Sequence, residues 1–140
     1  MPEISINAVL DAISIALNSA FPGSRLYSEE TPQNFEPGAF SIVIITASQK
    51  RLPNSRYRRR PLFDVIYFPK TGKEECYTVA DRLFMLLEVV TTPAGDKLRG
   101  TDMTIEIVDD ALHFKVQYRH HIITGAAEET MESLTLTQGG

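Results

Sequence analysis

Few side chains in this sequence are of the types that carry out covalent or metal chemistry. They are one cysteine, Cys76, and three histidines, His113, His120 and His121. Cys76 falls on the apolar stripe of a predicted helix, where a thiol is usually a small buried hydrophobe rather than a nucleophile. His120 and His121 are adjacent in an extended segment and point to opposite faces, so they cannot bind one metal ion together. His113 could share a face with His121, but the two lie far apart along the extended strand, so we predict no metal site.

Asp109 and Asp110 are adjacent carboxylates between two predicted strands. Calcium prefers about six to eight oxygen ligands, which two aspartates do not supply, whereas an Asp pair is typical of a hairpin turn. The sequence also has no GxSxG elbow, no P-loop and no GxGxxG motif. We therefore predict a turn at this position, no catalytic residues and no cofactor, and we expect that the protein is not an enzyme.

The strongest local signal is a cluster of basic residues between positions 50 and 60. Six of the 14 Lys and Arg residues fall there, together with one tyrosine: Lys50, Arg51, Arg56, Tyr57, Arg58, Arg59 and Arg60. Arginine is favoured at interfaces because its planar fork binds carboxylates and stacks on aromatic rings. One interpretation is a contact surface for an acidic partner or for phosphates. The other is a solvated loop whose arginines pair with Asp64, Glu74 or Glu75.

The composition indicates what class of protein carries these residues. The chain has 140 residues, of which 43% are hydrophobic and 23% charged, values that favour one folded domain. The net charge of −4 argues against a dedicated nucleic-acid binder, although not against a local basic patch. A single cysteine excludes an internal disulfide and suits a reducing compartment. The acidic start and the short apolar runs predict neither a secretory signal nor a membrane span.

Hydrophobic spacing predicts two helices and at least four strands. The helices cover residues 5–20, ended by Pro22-Gly23, and 71–91, begun by a capping box of Thr71 and Glu74. The strands cover 39–48, 62–68, 103–108 and 112–119; the last alternates, with Leu112, Phe114, Val116 and Tyr118 inward. The basic cluster is then a long connector between the first two strands.

This order of elements indicates an α+β domain: an antiparallel or mixed β-sheet with two main α-helices packed on one face, a two-layer sandwich. We predict a single domain over residues 1–124 and a C-terminal tail over 125–140 that serves as an interface arm. Acidic residues collect away from the basic cluster, at Glu29, Glu30, Glu36, Glu128, Glu129 and Glu132. Opposite charges on separate regions suit head-to-tail association.

Several segments, taken together, resemble a family of short phage and prophage proteins, the tail terminators. They are residues 54–60 (NSRYRRR), 63–69 (FDVIYFP), 75–88, 98–103 (LRGTDM) and 106–114. The likeness covers roughly residues 27–118 in consistent order. The family usually has a glycine after the turn aspartate, where this chain has Asp110.

The resemblance implies a structural protein that forms a ring, expected to be a hexamer, on the head-proximal end of a phage tail tube. There it stops tube polymerisation and provides the surface for head–tail joining. The implied partners are further copies of the chain, the tail tube protein, and the sheath protein and head connector. DNA would pass through the ring without specific binding, and no membrane is involved. The implied location is the tail of a virion or tail-like particle, after synthesis in the bacterial cytoplasm.

Two other functions stay open at this point. One is a head-completion or connector protein of the same particle. The other is a small nucleic-acid-binding module that uses the basic residues 50–60 and Tyr57, whose affinity would fall steeply with salt.

Overall fold

Eleven elements make up the structure, a computed structural model that describes residues 4–28 and 36–123. In chain order they are α1 (Ile6–Ala20), β1 (Leu26–Ser28), β2 (Phe40–Thr46), β3 (Gln49–Leu52), β4 (Arg56–Arg59), β5 (Leu62–Tyr67), α2 (Lys73–Leu86), β6 (Val89–Thr91), β7 (Lys97–Val108), β8 (Ala111–Tyr118) and β9 (His120–Ile123). The acidic positions 29, 30, 128, 129 and 132, and the predicted C-terminal tail, lie outside the described residues.

A six-stranded mixed sheet forms the body, in the order β1-β2-β5-β8-β7-β6. Only the β1–β2 pair is parallel. Alternate side chains of β5 and β8 form the centre of the core, and Phe63, Val65, Phe114 and Val116 are fully buried. The inward residues predicted for β8 are all buried, and both helices bring apolar residues to the same core. The predicted α+β class is confirmed.

Helix α1 follows its predicted pattern closely. The Ser5 hydroxyl accepts a hydrogen bond from the Ala8 N–H at 3.0 Å, which caps the first turn. Val9, Ile13 and Leu17 form the buried stripe. At the other end the guanidinium of Arg82, on α2, donates to the Ala20 carbonyl at 2.9 Å. This bond satisfies one of the carbonyls left open where the helix ends and ties α2 to α1.

Helix α2 begins and ends differently from the prediction. The predicted capping box of Thr71 and Glu74 is wrong, because the N-cap residue is Gly72 and makes no side-chain bond. The carboxylate that reaches back is that of Glu75, three residues after the cap. It accepts hydrogen bonds from the N–H groups of Lys70 and Thr71, from the Thr71 hydroxyl and from the Tyr67 hydroxyl.

The C-terminal end of α2 was predicted near Thr91 but lies at Leu86. Residues 89–91 instead form β6, which pairs antiparallel with β7 at the sheet edge. Valine and threonine favour the extended conformation, and strand pairing satisfies their backbone groups equally well. The predicted helix therefore extends five residues beyond the C-terminal end of α2.

We expect Glu75→Gln to change the acid stability of the protein. Burial opposes ionisation of Glu75, but the bonds from Tyr67, Lys70 and Thr71 outweigh it and lower the pKa of Glu75 from 4.5 to about 2. Because the folded-state pKa is depressed, this contribution to stability is complete above pH 4.5 and is lost as the pH falls through about 2. Urea unfolding across this range should show a shallower decline for the variant than for the parent. Glu74→Gln, an exposed neighbour, is the matched control and should keep the parent slope.

Strands β7 and β8 form a long hairpin. The predicted turn at Asp109 and Asp110 is confirmed: both residues have positive φ, 52° and 63°, and Val108 pairs directly with Ala111. Two central residues with positive φ are the geometry that matches strand twist. Strand β7 starts earlier than predicted, at Lys97, and is interrupted by a register shift between Thr101 and Thr104.

Candidate interaction surface

The predicted connector at residues 50–60 is itself a β-hairpin, so its assignment as a loop is wrong. Strands β3 and β4 pair antiparallel, and β9 pairs with the other side of β4. We call these three strands the basic sheet (residues 49–52, 56–59 and 120–123). The turn dipeptide Pro53-Asn54 was visible in the sequence. The strands were not, because charged residues hide the apolar alternation that identifies a strand.

The basic sheet continues the middle of the body. Its order, β3-β4-β9, repeats the order β2-β5-β8 of the segments to which each strand is joined. Backbone hydrogen bonds bridge the junction, from the Arg60 N–H to the Ser48 carbonyl at 2.9 Å and from the Tyr118 N–H to the Pro61 carbonyl at 3.1 Å. Three central strands therefore continue, after a short break in the pairing, into strands that carry the basic residues beyond the six-stranded sheet.

The strand register distributes the basic residues over both faces of this sheet. Direct cross-strand partners share a face, and neighbours in a strand alternate. Arg51 lies opposite Tyr57, and Arg59 opposite Gln49, on one face. Lys50 lies opposite Arg58, with Arg56 two residues along, on the other. The cluster predicted as one patch is therefore a hairpin that is positive on both sides.

Within the described part of the chain, the side-chain hydrogen bonds found for these arginines go to uncharged oxygen atoms. The Arg59 Nε donates to the Gln49 side-chain oxygen at 2.8 Å, and the Arg56 Nε donates to the Pro53 carbonyl at 3.2 Å. The ion pairs found in residues 4–28 and 36–123 all lie elsewhere: Arg25–Glu36, Arg99–Glu88, His113–Asp64 and Lys115–Glu106. Both partners found here are neutral.

The alternative of a solvated loop paired with Asp64, Glu74 or Glu75 is not what the structure shows. The Asp64 carboxylate binds the His113 Nδ1 at 2.8 Å, on the sheet face away from the helices. The Glu75 carboxylate is taken up by the start of α2. Lys50, Arg51, Arg56 and Arg60 are exposed, and the buried Nε of Arg58 has no partner among the described residues. An exposed positive surface that meets no counter-charge from the described part of the chain is suited to a complementary acidic surface.

The residues considered for covalent or metal chemistry lie apart from one another. Cys76 is buried in α2, and this burial, followed by the nearby Glu75 charge, raises the pKa of its thiol. His120 is buried and His121 exposed, on opposite faces as predicted. Within residues 4–28 and 36–123, no three His, Cys, Asp or Glu side chains converge as metal ligands would. The described helices are too short or too polar to cross a bilayer.

Comparison with known proteins agrees with the resemblance found in the sequence. The family described as "Phage tail terminator protein" matches residues 8–131, which is most of the chain and includes the whole basic sheet. No individually curated protein gives a significant match. The chain therefore belongs to the phage tail terminator family.

Proposed function

We propose that the protein assembles as a ring, a hexamer, on the head-proximal end of a phage tail tube. In that position it stops tube polymerisation and offers a surface for head joining. The role is structural, and the residues that carry it belong to the basic sheet, together with Arg60, which directly follows β4: Lys50, Arg51, Arg56, Tyr57, Arg58, Arg59 and Arg60. The partners are further copies of the chain, the tube protein, and the sheath protein and head connector, with DNA passing through the ring.

The observation that carries this proposal is that, within residues 4–28 and 36–123, no ion pair is found for the arginines and lysine of the basic sheet. A structural protein binds its neighbours through exposed surfaces of complementary charge and shape. If the basic sheet contacts a different patch on the next copy, the same contact repeats around an axis and closes into a ring. We further propose that residues 125–140 act as an interface arm and that the protein resides in the tail of a virion or tail-like particle.

Reversing two charges of the basic sheet tests the proposal. We expect Arg51→Glu with Arg56→Glu to lower the number of joined, normal-length particles about tenfold, because an attractive contact becomes repulsive. Tail lengths and head joining are counted in negative-stain images of particles made with the variant as the sole terminator. The matched control, Lys97→Glu with Arg99→Glu, reverses two exposed charges elsewhere and should assemble normally. Normal tails and normal joining with the first variant would contradict the role of the basic sheet.

The two alternative functions give different results. A head-completion protein, once labelled, would be found within the head rather than at the mouth of the tail. A nucleic-acid module would bind duplex or single-stranded DNA at low salt and lose affinity steeply as salt rises. We expect the label at the upper end of the tail and no DNA binding of this kind.

A further inference from the structure

A groove lies at the end of the central strands opposite to the basic sheet. It has a volume of about 660 Å³ and lies beside the β7–β8 turn. Its apolar lining includes Ile66, Phe68 and Val108, and its charged lining is Asp109 and Asp110. Val108 is 41% exposed, a high value for a valine beside other apolar groups. We call this site the turn groove.

The turn groove lies on the sheet face that the helices leave open. Ile66 pairs with His113 across β5 and β8, and both alternate with the buried residues that face the helices. His113 also lines the groove, and its Nδ1 is engaged by Asp64. The groove therefore offers apolar side chains to a binding partner and two carboxylates for positive charge.

The charges of the groove and of the basic sheet are complementary. The groove is lined by two carboxylates, with no Lys or Arg among its described lining residues. Lys70 and Lys73 line an adjoining cleft, which they share with Asp110. The tip of the basic sheet, residues 52–56 (LPNSR), combines an apolar leucine and proline with an exposed arginine. The apolar lining of the groove is suited to Leu52 and Pro53, and its two carboxylates are suited to Arg56.

A chain cannot place its own tip in its own groove. Strand β5 runs from Leu62, beside the basic sheet, to Tyr67, beside the groove, and β8 runs between the same ends in the opposite direction. Six strand residues separate the two ends by about 20 Å. The occupant must therefore come from another molecule, and a second copy of this chain supplies a tip of the required charge.

We infer that the tip of the basic sheet of one copy inserts into the turn groove of the next copy. The inference rests on the proposed ring and names the two surfaces that meet in it. The contact is heterologous, because a tip meets a groove and each copy has one of each, so it propagates from subunit to subunit. Leu52 and Pro53 contact the apolar lining, and Arg56 lies near Asp109 and Asp110.

Disulfide trapping in assembled tails tests this contact. Pro53→Cys places a thiol at the tip without removing a positive charge, and Val108→Cys places one in the groove; Cys76 is buried and does not compete. Tails made with the doubly substituted chain and oxidised should give a ladder of covalent oligomers on a non-reducing gel. Each single variant should remain monomeric on the same gel.

Each outcome has a distinct meaning. A ladder only with the double variant supports the contact. No ladder from tails that contain the protein, or covalent dimers from a single variant, overturns the contact and leaves the terminator role intact. Absence of the protein from purified tails overturns the proposed function and the contact with it.

Charge removal gives an independent measurement on the same tails. In the double-cysteine chain, Asp109→Asn with Asp110→Asn should lower the cross-linked fraction about fivefold, because Arg56 loses both carboxylates near it. Asparagine tolerates the positive φ of both positions. Asp102→Asn is the matched control, since Asp102 also has positive φ, 54°, and lies outside the groove lining. An unchanged fraction after the Asp109 and Asp110 changes would contradict their role.

Discussion

Phe114→Ala should lower the free energy of unfolding by about 3–5 kcal/mol, since a fully buried phenylalanine is lost and a cavity remains. Phe114 lies in the middle of β8, flanked by Val65 on β5 and Ile105 on β7. Its ring meets that of Phe84, on α2, edge to face at 5.1 Å between centroids. The change therefore removes contacts within the sheet and between the sheet and a helix.

Urea unfolding followed by circular dichroism measures this effect. Phe114→Leu keeps most of the volume and should cost less than about 1.5 kcal/mol. Tyr77→Ala, on the exposed side of α2, removes an aromatic ring outside the core and should change stability by no more than about 0.5 kcal/mol. A loss below about 1 kcal/mol for Phe114→Ala would mean that the ring does not lie in the core.

Gly100→Ala is expected to cost about 1–3 kcal/mol through overpacking rather than through a cavity. A Cβ at this position would lie 2.7 Å from the Leu87 carbonyl oxygen, 2.8 Å from a Val116 methyl and 2.9 Å from the Met103 terminal methyl. The Leu87 oxygen cannot retreat freely, since it already accepts a hydrogen bond from the buried Tyr118 hydroxyl at 2.7 Å. The backbone between α2 and β6 must shift to make room.

The matched control is Gly23→Ala, where an added Cβ meets no atom within 4 Å. Its thermal midpoint should stay close to that of the parent, whereas the midpoint of Gly100→Ala should fall by about 3 °C for each kcal/mol lost. Equal midpoints for the two variants would show that the close approach at Gly100 relaxes without cost.

The elements best predicted from the sequence are those whose pattern depends on one face being buried. The stripe of α1 and the alternation of β8 are both of this kind, and both agree with the structure within one or two residues. The Asp109-Asp110 turn is local chemistry, which also needs no tertiary information. Together they were enough to predict an α+β fold with the helices on one face.

The basic sheet could not be predicted in this way. Of the four residues of β3, only Leu52 is apolar, and of the four residues of β4, only Tyr57 is not an arginine. Neither strand therefore shows an alternation of apolar and polar residues. Their strand conformation depends on pairing with each other and with β9, which is more than 60 residues away in sequence. The predicted C-terminal end of α2 is wrong for a related reason. Val90 continues the helical spacing of apolar residues, but its pairing with Leu98 places it in strand β6.

The charge of the candidate site was evident in the sequence, but its shape was not. The cluster at residues 50–60 is visible from its composition alone, whereas its division between two faces follows only from the register. The hydrogen-bond partners of the nearby acidic residues could not be predicted either. Asp64 and Glu75 look available in the sequence, yet their partners, His113 and Tyr67, come from the tertiary fold and the helix start.

The continuity between the basic sheet and the body has a mechanical consequence. The junctions contain no glycine, and Pro61 fixes one backbone torsion between β4 and β5. A force applied to the tip is therefore passed through the covalent chain from β4 to β5, which contains the buried core residue Phe63. Because β5 pairs with β2 on one side and β8 on the other, we expect pulling along these strands to load both sets of hydrogen bonds in shear, so that the strain reaches the core of the subunit.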